Sequence, residues 1–339
     1  MEWKKFIPFA AGIVLIAGLI WWAGTEGIVR VISRSSPFWL TMAFVAYFFG
    51  VLTWALRWHV LLRSLDVEVS FKDTFVALFV GILFNNLTPG ARGGGEAVRM
   101  YYLKKRSSST YGIVLATITA DRILDLFPVV LMLLLSAVYA YLWHYHGLFV
   151  LLIILNVLLL AATGIFTVII TSERRVKRTS YALFNFLARL IPSRMRKYEE
   201  KFNRLIEVNV PHFTSGLKLV MKDREAFWIA TGYSFLTWFF VILRNYFLFL
   251  SLHVHVSLVD ITVVQMIATA VGLVSIIPGG AGLIEATSAG LFVALGISRE
   301  VAVTVSIVDR IISFWLPMIL GFIVMGHFGL KPQEPKTSS

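Results

Sequence analysis

Eleven ionisable residues stand inside strongly apolar stretches of this sequence: Arg57, Arg92, Arg99, Arg122, Arg244 and Arg310, with Glu96, Asp121, Asp125, Glu285 and Asp309. A charge at membrane depth costs roughly 3 kcal/mol or more unless it is paired or hydrated, so each of these asks for a partner or a ligand. The excess is basic. Guanidinium grips phosphate or carboxylate through parallel N–H donors, so residues of these types suit recognition of an anionic group.

Their spacing adds geometry. Pro89-Gly90-Ala91-Arg92-Gly93-Gly94-Gly95-Glu96 and Pro278-Gly279-Gly280-Ala281-Gly282-Leu283-Ile284-Glu285 share the pattern P-G-x-x-G-x-x-E. A helix that restarts near Gly93 or Gly282 presents unpaired N–H groups and a positive dipole end, both favourable to an anion. Glu96 and Glu285 then occupy the third helical position. There they either cap their own helix or carry protons or cations during turnover.

Downstream of each break comes an Asp-Arg-Ile triplet, Asp121-Arg122-Ile123 and Asp309-Arg310-Ile311. Adjacent helical residues point ~100° apart, so these pairs need partners elsewhere: ion pairs sealing two copies together, or a headgroup phosphate. Arg57 and Arg244 could snorkel to an interface, an account weaker for Arg244 at mid-span. Arg92 has Ala281 opposite and is the candidate for asymmetric recognition. The candidate substrate-binding set is therefore Arg57, Arg92, Glu96, Asp121, Arg122, Arg244, Glu285, Asp309 and Arg310. The candidate helix breaks are Pro89, Gly90, Gly93, Pro278, Gly279 and Gly282. Trp21, Trp22, Trp39, Trp54, Trp58 and Trp143 read as interfacial anchors. No catalytic residue, metal site or cofactor is expected, because the seven histidines are scattered and Gly93-Gly94-Gly95 lacks the Lys-Ser/Thr of a phosphate-binding loop.

The elements that must position these residues are membrane spans. Of 339 residues 58% are hydrophobic and only 15% charged, and there is no cysteine, which excludes a soluble enzyme, thiol chemistry and disulfides. The sequence predicts an all-α polytopic membrane protein. Its full spans are 6–23, 38–61, 111–143, 148–171, 227–250 and 301–325, and two broken pairs around the Pro-Gly segments form re-entrant hairpins. Lys and Arg fix the orientation. With the N-terminus in the cytoplasm, 22 lie in cytoplasmic connections, and only Arg30, Arg34 and Arg299 lie outside. The net charge of +12 thus reports topology and anionic headgroups near a basic linker, not nucleic acid.

The matching segments extend upstream, where Leu65–Ser70 parallels Leu252–Ser257 and Arg57 parallels Arg244, so the chain reads as an internal repeat whose copies run in opposite directions. The expected organisation is an anchor span and outer loop (1–37), then a first repeat (38–171) with hairpin 74–105 and one extra span. A basic cytoplasmic linker (172–225) leads to the inverted repeat (226–326) with hairpin 261–297 and a cytoplasmic tail (327–339). Many secondary transporters use such symmetry to hold a site between the copies.

The P-G-x-x-G-x-x-E segments, the Asp-Arg-Ile after each and the basic linker resemble the transmembrane region of lysylphosphatidylglycerol synthases and its free-standing flippase-like relatives. That resemblance spans nearly the whole chain. It implies translocation of an anionic phospholipid or a polyprenyl-phosphate-linked lipid between leaflets of the cell membrane, rather than an enzyme. Only Gly326–Ser339 follows the last span, so the aminoacyl-transferase domain of the full synthases is not expected here. The open alternatives are a membrane-embedded transferase acting on a lipid phosphate, and a non-catalytic protein presenting lipid to a separate synthase or glycosyltransferase.

Overall fold

The computed structural model describes residues 7–88, 93–190, 199–275 and 277–328, and among these every regular element is helical. Pro89, Gly90 and Arg92 lie outside the described residues. In chain order the helices are α1 (Ile7–Ala23), α2 (Thr25–Ser33), α3 (Pro37–Arg63), α4 (Phe71–Leu87), α5 (Gly93–Lys104), α6 (Tyr111–Leu142) and α7 (His146–Ile170). There follow α8 (Glu173–Leu190), α9 (Glu199–Lys222), α10 (Arg224–Ser251), α11 (Leu258–Val274), α12 (Leu283–Ala294), α13 (Arg299–Arg310) and α14 (Leu316–Phe328).

Among the described residues five helical stretches are long and apolar enough to cross a bilayer: α3, α6, α7, α10 and the run Arg299–His327. Here the sequence reading of six full spans needs qualification. The first span is only 17 residues, ends at Gly24 and bends by 80° into α2, so a sixth span exists only if this bent pair counts as one. Gly24 takes φ +81, a left-handed conformation that an L side chain resists. The residues expected to form a loop carrying Arg30 are thereby a helix.

Each broken pair joins a 17-residue helix to a 12-residue one, α4 with α5 and α11 with α12. A 12-residue helix rises only ~18 Å, well short of the ~30 Å hydrocarbon layer. Close approach of α4 and α5 depends on glycine: a Cβ at Gly95 would overlap the Gly81 carbonyl oxygen, and one at Gly94 would overlap Thr88. In the second break Gly279, Gly280 and Gly282 all have positive φ around the short 3-10 turn Pro278–Gly280.

The turns leading into the two hairpins are the same turn built twice, 187 residues apart. Asp66 and His253 both take left-handed φ, 52 and 59. The bond Val67 N–H to Leu62 O recurs as Val254 N–H to Phe249 O, and Asp66 N–H to Arg63 O recurs as His253 N–H to Leu250 O. Ser70 and Ser257 then N-cap α4 and α11. Leu65–Ser70 and Leu252–Ser257 thus correspond in backbone geometry as well as in sequence.

Candidate functional site

The first cluster is assembled by α3, α5 and α6. Arg57 projects from α3 and donates through Nε to Asp121 Oδ1 (2.6 Å) and through Nη1 to Asp125 Oδ1 (2.5 Å). Asp121 is fully buried, and its other oxygen accepts from Trp54 Nε1 at 3.1 Å and Arg99 Nη2 at 3.3 Å. Glu96, at the start of α5, accepts from Arg99 Nη1 (2.9 Å), from Arg122 through both Nε and Nη2, and from Asn85 Nδ2 at 3.4 Å. Arg99 is roofed by the Trp58 ring, 3.9 Å away, and Arg122 lies over Trp54 at 5.2 Å. Three arginines thus meet three carboxylates. The open edge is at Arg122 and Asp125, whose side chains are 36% and 25% exposed.

The second cluster repeats the core of the first with fewer parts. Arg244 on α10 donates to Asp309 Oδ1 at 2.6 Å, and Arg310 donates through Nε to Glu285 Oε1 at 2.8 Å. Arg310 also donates through Nη2 to the Gly279 carbonyl at 2.7 Å and rests on the Phe314 ring at 4.5 Å. A π-helical turn, Ile311–Trp315, follows Arg310 at once and carries that ring. The equivalents of Arg99 and Asp125 are Ser288 and Ser313, so this cluster holds two arginines against two acids.

Each half therefore contains the same two ion links: the span arginine to the triplet aspartate, and the hairpin glutamate to the triplet arginine. Among the described residues the triplets form no ion pair that seals one half to the other. Nor does Glu96 or Glu285 cap its own helix among the described residues; Asn85 Oδ1 from α4 accepts the Gly95 N–H instead. Arg57 and Arg244 are buried and paired, so neither snorkels.

The halves meet along α3 and α10. Tyr47 lies against Arg244, Gly50 against Phe240, Thr53 against Thr237 at 3.0 Å, and Arg57 against Ser234 at 3.0 Å. Numbers rise on one helix as they fall on the other, so the two helices run antiparallel. The shift of 187 residues takes Arg57 to Arg244 and Tyr47 to Ser234, and it takes Gly50 to Thr237 and Thr53 to Phe240. Each of these contacts is thus made twice, once from either side, about a local twofold axis.

Two residue groups were misjudged or missed from sequence. Trp54 and Trp58, expected as interfacial anchors, sit inside the first cluster; Trp58 is fully buried and donates through Nε1 to Thr117 Oγ1. Arg99 and Asn85, absent from the candidate binding set, hold Glu96 in place. Among the described residues the charges of the two clusters balance, five arginines to five acids.

A family model described as the lysylphosphatidylglycerol synthase TM region matches residues 9–321. A UPF0104 membrane protein of Pyrococcus horikoshii is 35% identical over 323 residues, 95% of this chain and 96% of its own. UPF0104 membrane proteins of Methanothermobacter thermautotrophicus and Methanocaldococcus jannaschii are similar at 28% and 27% identity. Their matches cover 98% and 95% of this chain and 98% and 94% of theirs.

Proposed function

Because the chain belongs to the family of the lysylphosphatidylglycerol synthase TM region, we propose that this multi-pass membrane protein moves an anionic lipid between leaflets, its two halves (38–171 and 226–326) acting as inverted copies. The observation that carries this reading is the duplicated pair of ion links, set on either side of an antiparallel α3–α10 seam whose contacts are mirrored. Such symmetry makes an inward-open arrangement of one half equivalent to an outward-open arrangement of the other.

The headgroup phosphate enters at the exposed edge of the first cluster and takes Arg122 from Glu96. Glu96 stays held by Arg99 and Asn85, so the exchange leaves no bare buried carboxylate. We propose that Arg92, between Pro89 and Glu96 in sequence, contributes a further positive charge to the phosphate. The acyl or prenyl tails remain in lipid. We place both termini on the cytoplasmic side of the cell membrane, on the strength of the Lys/Arg asymmetry.

The test is reconstitution into liposomes with several headgroup-labelled lipids and a leaflet-selective quencher. Wild type is expected to expose at least one anionic lipid to the quencher on both sides, and Arg122→Ala to lose that transfer. Chemical turnover of the lipid without its movement would overturn the translocator reading in favour of a transferase.

A further inference from the structure

The linker after α7 carries a second lipid-facing surface that the translocation reading does not use. α8 starts two residues beyond α7, whose exposed Val157, Leu158, Ile165, Phe166 and Val168 mark it as a span facing lipid. α8 is therefore tethered within one turn of the bilayer surface. Stepping ~100° per residue divides it into three sides. Phe184, Tyr181 and Lys177 face α9: the Phe184 ring stacks on Phe202 at 4.3 Å, and Lys177 and Tyr181 both donate to Glu207. Arg174, Arg178 and Arg189, with Arg175 at the edge, form an exposed basic side. Leu183, Phe186 and Leu187 form the third side, apolar apart from the exposed Thr179, with Leu183 and Phe186 each 58% exposed.

We infer that α8 lies in the plane of the membrane on the linker side, with Leu183, Phe186 and Leu187 in the acyl boundary and Arg174, Arg175, Arg178 and Arg189 among anionic headgroups. Two observations favour a lipid leaflet over another occupant. The helix that carries the apolar side follows the lipid-facing α7 after only Thr171 and Ser172. That side is also bordered by arginines, the flanking pattern of helices that bind anionic interfaces. Glu173 and Glu207, the acids beside this helix, are engaged with Lys177 on the α9 side and leave the arginine side without an opposing carboxylate among the described contacts. This inference does not depend on lipid movement, and its test reads no flux.

The chain contains no cysteine, so single cysteines give clean labels. Leu183→Cys, Phe186→Cys and Asn185→Cys, each spin-labelled in the full chain, are placed in nanodiscs of phosphatidylserine and phosphatidylcholine in equal parts. Oxygen accessibility relative to a water-soluble nickel chelate is expected to be severalfold higher at 183 and 186 than at 185, at a depth of about 5–10 Å. Equal chelate accessibility at all three overturns the inference. So does strong dipolar coupling between labels at 186, which would show a second copy covering the face. Wild-type chain with a photoreactive acyl-chain lipid provides the unsubstituted check: cross-links are expected on the peptide containing Leu183–Leu187, and their absence there counts against an in-plane α8.

Discussion

Replacing Arg310 by alanine strips Glu285 of the one hydrogen-bond partner it has among the described residues. Glu285 is 3% exposed, its Oε2 already lacks a partner, and its Oε1 is held only by Arg310 Nε at 2.8 Å. The same change frees the Gly279 carbonyl in the break. A buried carboxylate left without its cation costs about 3–5 kcal/mol. The equivalent change in the other half, Arg122→Ala, has a different outcome, because Glu96 keeps Arg99 at 2.9 Å and Asn85 at 3.4 Å and is partly exposed. Its cost is that of lost hydrogen bonds, about 1 kcal/mol. At roughly 2 °C per kcal/mol for a chain of this size, the expected falls in Tm are about 6–10 °C for Arg310→Ala and about 2 °C for Arg122→Ala. The assay is the fraction of monodisperse protein surviving a temperature series in detergent, scored with Glu285→Gln/Arg310→Met alongside. Removing both charges together recovers most of the loss. Equal falls for the two alanine variants, or a double variant no better than Arg310→Ala, would refute the idea that one link is a sole support and the other a shared one.

Other outcomes follow from single contacts. Gly95→Ala drives a methyl group into the Gly81 carbonyl and is expected to cost about 1–3 kcal/mol by overpacking, whereas Gly290→Ala, with open space around it, leaves Tm unchanged; the same heating series measures both. Trp58→Leu removes the ring over Arg99 and the bond to Thr117, and is expected to cost about 2 kcal/mol or more. Hydrogen bonding to Lys177 holds the Glu207 carboxyl below its ordinary range, and the bond to Glu207 raises Lys177. The Glu207 contribution is therefore present above the ordinary glutamate pKa of about 4.3 and disappears as pH falls through the lowered value. The Lys177 contribution is present below the ordinary lysine pKa of about 10.4 and disappears above the raised one. The protection of α8 amides, measured as the exchange rate relative to the intrinsic rate at each pH, should fall at both extremes and stay flat between them, and Glu207→Gln should abolish the acid limb.

The break at Pro278–Gly282 and the residue matches around the paired turns were legible because a Pro-Gly step and an ordered set of matching residues are local signals. The turn at Asp66 and His253 shows how far that correspondence reaches, down to single hydrogen bonds. Which acid each arginine chooses was not legible. Asp121 and Arg122 diverge by ~100°, and only the packing of α3 and α5 against α6 decides what each meets. The tryptophans misled for a physical reason: an indole suits a lipid interface and a buried polar cluster equally, having an apolar body and one N–H. The corrective signal was present, since Trp54, Arg57 and Trp58 share a helix face at i, i+3 and i+4. Arg99, one turn after Glu96, gave a similar signal. The bend at Gly24 was hidden because the apolar run before it has the composition of an ordinary span.

The balance of charge in each cluster has an electrical consequence. Moving one elementary charge through the full field of a membrane involves ~2.3 kcal/mol per 100 mV. Among the described residues the first cluster holds three cations and three anions and the second two of each, so either half could tilt as a unit with no net displacement of its own charge. The membrane voltage then does no net work on the charges of either cluster. If the protein moves lipid as proposed, a voltage dependence of turnover reports the charge of the lipid, while a voltage-independent return step reports the neutrality of the two clusters.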